Sequence, residues 1–516
     1  MRKAFIHANI YKNDKDAFLI EDDKIVCVST TDVILNEVID QDEVIDLNGM
    51  FVLPGFVDSH MHLLELGFYL SCVQLSNCTS LEDMKDKLTH KCKEVKDNEW
   101  VIARGYNEEK FLTEKTRPTK EFLDSISKEI PICVTRACGH SMSCNSKALE
   151  LAGIQQEMEI EDGTIDFEEG ILEETAINIV HDAWPKPDES TLKDYVQKGI
   201  TCANQFGVTT VGSDDFLSVT ENYEKVLNVF EQLSFQQKLN IRVNEQCEFS
   251  SLEEFAEFLD EGYTFDVGND YFRIGPLKLI ADGSLGARSA AMIEPYHDDP
   301  TTKGVMNYSV DEMKAFISLA NQYNMPTIVH CIGDKAVDDV LEAMEGNIYD
   351  GNPLHHGLVH CQILRKEQIE QIIQKKLSCY FQSIFIDSDA KILTDRVGEK
   401  LAKTSYPFKT LYENTLASNG SDAPVELPNV LHGIELAITR TGMNQEECLS
   451  IDQAIDSYTI KGAQQMFMDD RIGKITEDYY ADIVVLDRDI TKIPTNEIHD
   501  TKVMMTIMNG EIVFER

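Results

Sequence analysis

Apolar positions along this chain follow two rhythms, and the change from one to the other divides it. Residues 1 to about 50 cluster in short runs: AFIHANIY, then AFLIEDDKIVCVS with a turn at Glu21-Asp22-Asp23, then EVIDLNGMFVLPG with Asn48-Gly49 as a hairpin signal. The C-terminal stretch repeats the style in ADIVVLDRDI and KVMMTIMNGEIVFE, the latter turning back at Asn509-Gly510. These runs predict strands. Two strand-rich ends predict one small β-sandwich domain assembled from residues 1–54 and 468–516.

The middle alternates. Strand-like runs at GVTTVGSD, LNIRVNEQ, FRIGPLKLIADG, MPTIVHCIGD, HHGLVHCQ, LSCYFQS and TLASNGSDAP are separated by helix-compatible segments such as Asp311 to Gln322 and Asp334 to Glu345. With the run from Phe51 to His60 they make eight. Eight strands with intervening helices predict a (β/α)8 TIM barrel over residues 55–467, whose chemistry lies at the carboxyl ends of the strands. Between the first two strands an excursion of about 63–198, with its own strand-like WVIARGY and PICVTRACG, reads as an insertion or lid. Ser450-x-x-Gln453 is a capping box that opens a helix running to Met466.

Composition narrows the function classes. At 516 residues, 42% hydrophobic and 27% charged, this is a globular chain with room for a large core. Asp+Glu number 90 against Lys+Arg 47, and the net charge of -43 repels nucleic acid and anionic membrane surfaces, so neither is expected as a partner. No signal-peptide pattern opens the sequence, and no run approaches the ~18 uninterrupted apolar residues of a membrane span. A cytoplasmic protein is expected. The 13 cysteines contain no C-x-x-C pair, which argues for free thiols rather than a disulfide framework or a thiolate zinc site. A homodimer is the default assembly.

Candidate chemistry collects at the strand ends. His60 and His62, spaced His-x-His, point the same way from an extended strand and grip one metal ion between them. Lys278 and Asp282 follow on strand four, His330 ends strand five, His360 strand six and Asp422 strand eight. Imidazoles beside a carboxylate are a metal-ligand set that also supplies a base. Lys278 inside a barrel requires a neutralising partner. It either pairs with Asp282, reaches the surface, or adds carbon dioxide to become a carbamate able to bridge two metals. Asp282, Arg288, Asp334, Glu174 and Gln382 are candidates for holding substrate or orienting ligands. Cys331 and Cys361 each follow a proposed ligand and so point away from the metals. The chain has no G-x-x-x-x-G-K-[ST] and no G-x-G-x-x-G, and Asp282-Gly283-Ser284-Leu285-Gly286 lacks the first glycine of a nucleophile elbow.

These residues, with Gly139-His140 through Asn145, Gly170-Ile171-Leu172-x-Glu174, Ser421-Asp422-Ala423-Pro424 and Ala481-Asp482-Ile483-Val484-Val485-Leu486, resemble the amidohydrolase superfamily in its amidohydrolase-3, YtcJ-like branch. The resemblance covers nearly the whole chain. It implies that His60 and His62 bind one divalent metal, with Zn2+ the expected ion, together with Asp422, that His330 and His360 bind a second, and that Lys278 as its carbamate bridges them. It further implies hydrolysis of a carbon–nitrogen bond by a metal-activated hydroxide, with Asp422 as general acid/base and His140 polarising the substrate. Since this branch includes N-substituted formamide deformylases, a small N-acyl or N-formyl amine is the expected substrate. Alternatives are a cyclic amidohydrolase, a deaminase with the same metals, or a non-catalytic barrel scaffold.

Overall fold

The structure is a computed structural model that describes residues 2–516 apart from 97–98, 113–114, 161–162 and 221. It divides into two compact units, Met1–Leu66 with Val196–Arg516, and Gly67–Tyr195.

The larger unit holds the barrel. Eight strands pair side by side in parallel: β1 Phe56–Met61, β2 Val208–Ser213, β3 Arg242–Cys247, β4 Phe272–Ile280, β5 Thr327–Cys331, β6 Gly357–His360, β7 Ser378–Phe381 and β8 Ala417–Asn419. Every residue of β1, β2 and β3 is buried. Helices such as Val310–Gln322 and Asp334–Ala343 fill the crossovers, and this is the expected (β/α)8 barrel. No helix among the described residues is long and apolar enough to cross a membrane.

The run from Phe51 to His60, expected as one strand, is two. Phe51–Pro54 pairs antiparallel with Ile483–Leu486, and the barrel strand begins only at Phe56. Proline has no N–H with which to carry a ladder onward. At Gly55 the chain therefore changes partners: Gly55 N donates to Asp482 O, and Phe56 N donates to Gly207 O.

The same unit contains the β-sandwich. One sheet runs Lys24–Ser29, Ala17–Glu21, Arg2–Ile6, Glu43–Asp46; the other runs Asn9–Ile10, Phe51–Pro54, Ile483–Leu486, Val503–Met508, Glu511–Glu515. Phe5, Phe18 and Ile20 from the first pack with Val52, Ile483, Val485 and Ile507 from the second. Asn509 and Gly510, both at positive φ, make the expected hairpin. Asn48 and Gly49 also have positive φ but do not make one. The strands they join lie in different sheets, so this turn carries the chain across the sandwich.

Sandwich and barrel are pinned by a buried ion pair. Arg242 at the start of β3 donates from Nε to Asp482 Oδ2 at 2.7 Å and from Nη2 to Asp482 Oδ1 at 3.1 Å, with its guanidinium over the Tyr480 ring. The capping box at Ser450 and Gln453 is present, but its helix stops at Ser457 and a second runs Ile460–Gln465. Thr459 between them leaves helical geometry (φ -135°, ψ -100°), so the expected continuous helix is broken.

Gly67–Tyr195 has a six-stranded sheet in the order Gly163–Asp166, Ile171–Glu174, Ser141–Cys144, Ile132–Arg136, Val101–Tyr106, Val73–Gln74. Ile132 and Val134 pack with Val101 and Leu88 in one apolar core, while Cys133 packs with Met142, Leu149 and Leu172 in another. Alternate residues of one strand thus face two cores, as period-2 geometry requires.

Candidate metal centre

Asp58, His60 and His62 share one face of β1 by alternation. His60 is fully buried. Its Nδ1 lies 2.6 Å from Gln246 Oε1, and Gln246 Nε2 donates to Ser59 O at 2.9 Å. A carbonyl only accepts, so the amide nitrogen must face Ser59 and the amide oxygen must face His60. Nδ1 therefore carries the proton and Nε2 is bare. Gln246 reaches Ser59 across Gly212 of β2, where a Cβ would lie 2.5 Å from both partners. His62 is fixed in the same sense, since its Nδ1 donates to the Asp214 carbonyl at 2.6 Å.

Both bare nitrogens meet one carboxylate. His60 Nε2 lies 3.3 Å and His62 Nε2 3.2 Å from Asp422 Oδ1, and the three ligand atoms lie within 4.8 Å of one another. His60 Nε2 is buried and makes no hydrogen bond. Lone pairs facing lone pairs in a buried site require a cation among them, so these donors fit a divalent metal. Without one, a proton takes its place: burial opposes charging His62, yet Asp422 and Asp214 outweigh it and carry its pKa up to about 10. Burial would raise Asp422, but its close contacts with His60 and His62 hold it well below the usual carboxylate range.

His360 repeats the device of His60. Its Nδ1 lies 2.7 Å from Gln382 Oε1, and Gln382 Nε2 donates to Tyr380 O at 3.2 Å, again leaving Nε2 bare. His330 Nε2 donates to Gly283 O at 3.1 Å, which leaves its Nδ1 bare. The His330 and His360 rings are 4.3 Å apart, and His360 is 5.7 Å from His60. Burial, then the Lys278 charge, lowers His330 to about 4, and burial with His330 lowers His360 further, so both are neutral imidazoles at ordinary pH.

The partner of Lys278 is Asp214, not Asp282. Lys278 Nζ donates to Asp214 Oδ2 at 2.8 Å with both side chains buried. Burial would lower the lysine, but Asp214 and Glu248 raise it. Asp282 lies past the end of β4 and turns to the backbone, accepting from Ala291 N, Ile332 N and Gly333 N at 2.8–3.0 Å. It braces the loops after β4 and β5. Asp334 likewise accepts from Ile293 N at 3.0 Å. Arg288 is on an exposed loop, bidentate to Asp298. His140 and Glu174 belong to the smaller unit, where both are exposed and paired, His140 Nδ1 to Glu174 Oε2 at 3.0 Å.

Sequence reasoning missed Asp58, Asp214 and Gln246. Alternation in the third barrel run, LNIRVNEQ, puts Asn244 and Gln246 on one face, and that was the signal available for Gln246.

Known proteins resemble this chain over most of its length. The Amidohydro_3 model, described as "Amidohydrolase family", matches residues 43–514. The chain is 31% identical to the YtcJ protein of Bacillus subtilis (strain 168) over 489 residues, 92% of this chain and 91% of that one. It is 24% identical to the N-substituted formamide deformylase of Arthrobacter pascens over 546 residues, 99% of this chain and 98% of that one. Among solved structures, an uncharacterized metal-dependent hydrolase from Pyrococcus furiosus superposes with a TM-score of 0.81 at 29% identity, covering 95% of this chain and 100% of that one.

Proposed function

The chain belongs to the amidohydrolase family as a metal-dependent hydrolase, and from that premise we propose that it cleaves the carbon–nitrogen bond of a small N-acyl or N-formyl amine. The observation that carries this reading is the convergence of two bare imidazole nitrogens on Asp422 Oδ1 at 3.2 and 3.3 Å. His60, His62 and Asp422 would hold a divalent metal, and two imidazoles with one carboxylate suit zinc while leaving a position open. When bound there, the metal supplies an acidified water and a Lewis acid for the carbonyl oxygen.

The chain's own groups divide the remaining work. Gln246 and the Asp214 carbonyl keep the two histidines in the donor tautomer. The contacts of Asp422 with the histidines run through Oδ1. Oδ2 is then the atom to take a proton from water and return it to the leaving nitrogen. The similarity to a formamide deformylase over most of both chains supports the substrate class.

A second reading is favoured by the 4.3 Å approach of His330 to His360. In it those two would hold a second metal, and Lys278, released from Asp214 and having given up a proton to solvent, would add carbon dioxide to become a carbamate anion available as a further ligand. Metals per chain, measured by elemental mass spectrometry with zinc and bicarbonate supplied, separate the versions: about one for the single site, about two for the bridged pair.

The test of function is a panel of N-formyl amines, N-acyl amines, cyclic amides and amino-substituted rings. Formate or carboxylate released by wild type and lost in Asp422→Ala supports the proposal. Ring opening or ammonia alone transfers the assignment to a cyclic amidohydrolase or deaminase. Zinc-loaded protein that turns over none of them refutes hydrolysis and leaves the scaffold reading.

A further inference from the structure

The eight-stranded sheet has two ends, β8 and β1, and no strand pairing joins them among the described residues. Individual groups bridge that seam, and all of them lie at the level of the candidate ligands. Asp58 Oδ1 accepts from Ser421 N at 2.9 Å and from His60 N at 3.3 Å. Asp422 N donates to His60 O at 2.8 Å, and His62 N donates to Ala423 O at 2.8 Å. Gly420 permits this approach, since a Cβ there would lie 2.6 Å from the His60 backbone and 2.8 Å from Asp58 Oδ1.

We propose that Asp58 is a positioning residue that latches the last barrel strand to the first and so sets the spacing of Asp422 from His60 and His62. Its carboxylate is fully buried, and one oxygen takes amide protons from both sides of the seam. Asp422 has φ 56°, a left-handed conformation that a non-glycine residue holds only when its surroundings impose it. What imposes it is the set of three cross-seam bonds, two from the backbone and one from Asp58. Removing the Asp58 acceptor frees Ser421 N, adjacent to Asp422, and lets the segment relax away from the histidines. The hydrogen bonds of Asp58 go to backbone amides, so it acts through the Ser421-Asp422 backbone. This inference rests on the reading that His60, His62 and Asp422 hold the metal.

The test compares wild type, Asp58→Asn and Asp58→Leu by zinc competition titration and by amide hydrogen exchange of the metal-free proteins across residues 420–423. Asparagine keeps an acceptor oxygen; leucine keeps the bulk without it. The expected result is near-wild-type zinc affinity and slow exchange for Asp58→Asn. For Asp58→Leu it is roughly 10–100-fold weaker zinc binding, with faster exchange confined to that segment. Wild-type affinity and slow exchange in a folded Asp58→Leu protein would overturn the latch, as would exchange that quickens throughout the barrel. If Asp58→Leu does not fold, unprotected 420–423 amides in wild type overturn the proposal, and protected ones preserved in Asp58→Asn support it. A wild type that binds no zinc sinks the metal-site reading alone, because the exchange comparison stands without metal.

Discussion

Replacing Gln246 by leucine removes one hydrogen-bond acceptor from a buried ring, and its effect on metal binding follows from the geometry. Gln246 Oε1 holds the His60 Nδ1 proton at 2.6 Å, and both side chains are almost wholly buried. In Gln246→Leu that proton has no partner, which costs about 1–3 kcal/mol in a buried site. The ring escapes the cost by moving its proton to Nε2, where Asp422 Oδ1 accepts it 3.3 Å away. That tautomer has no lone pair facing the metal. Restoring the binding tautomer then costs the same about 1–3 kcal/mol, which converts to roughly 5–150-fold weaker affinity at 1.4 kcal/mol per decade. Competition between metal-free protein and a chromophoric zinc chelator measures it, with circular dichroism and thermal unfolding to establish that the variant is folded. Gln382→Leu, which frees His360 instead, is the control that leaves the His60-His62-Asp422 site intact. A folded Gln246→Leu protein with affinity within twofold of wild type would refute the reasoning.

Other outcomes follow from the same structure. Asp422→Asn is expected to lower turnover by at least about a thousandfold, because it loses a ligand charge and the proton carrier together; retained turnover at neutral pH contradicts that role. Asp482→Ala leaves Arg242 charged and buried and should cost about 3–5 kcal/mol in denaturant unfolding, and a loss under about 1 kcal/mol would mean the pair is dispensable. Burial pushes Asp389 up to about 6 against a bond from Tyr406 Oη that lowers it, so folding favours its protonated form. That stability is complete below pH ~4 and is lost as pH rises through about 6. Asp389→Asn should therefore gain melting temperature over wild type from pH 4 to 7 and level off above, and a pH-independent difference would exclude the mechanism. Lys278→Ala abolishes metal pairing and activity if the bridged reading holds, with partial rescue by small carboxylic acids; an active, doubly metallated variant would sink it.

The barrel and its candidate ligands were legible because both rest on alternation. His60 and His62 at spacing two, and His330, His360 and Asp422 each closing an apolar run, mark strand ends whatever the tertiary context. The residues that fix those ligands were not. Gln246 and Asp214 are polar positions inside or just after strands, and only the phase of the pleat against a neighbouring strand distinguishes them from rim residues. Asp58 is harder still, because its partner Ser421 lies 363 positions away across a seam without strand pairing. Lys278 could be recognised as needing a counter-charge, but Asp282 is near only in sequence; its carboxylate is taken by three loop amides, while Asp214 follows β2, two strands away in the sheet. Phe51 to His60 counts as one run in the sequence although Pro54-Gly55 interrupts it, and that interruption is where the hydrogen-bonding partners change.

The sandwich shared by both ends of the chain also sets a timetable for biogenesis. Lys3 Nζ donates to Gly510 O across 507 positions, and Phe51–Pro54 finds its antiparallel neighbour only in Ile483–Leu486. During synthesis at about 5–20 residues per second, the first strands leave the ribosome roughly 20 to 100 seconds before those partners exist. For that interval an apolar edge stands open to any other strand nearby. Losing Ile483–Leu486 would leave Phe51–Pro54 without its antiparallel neighbour, so a chain shortened past that strand would harm yield more than the residues removed suggest.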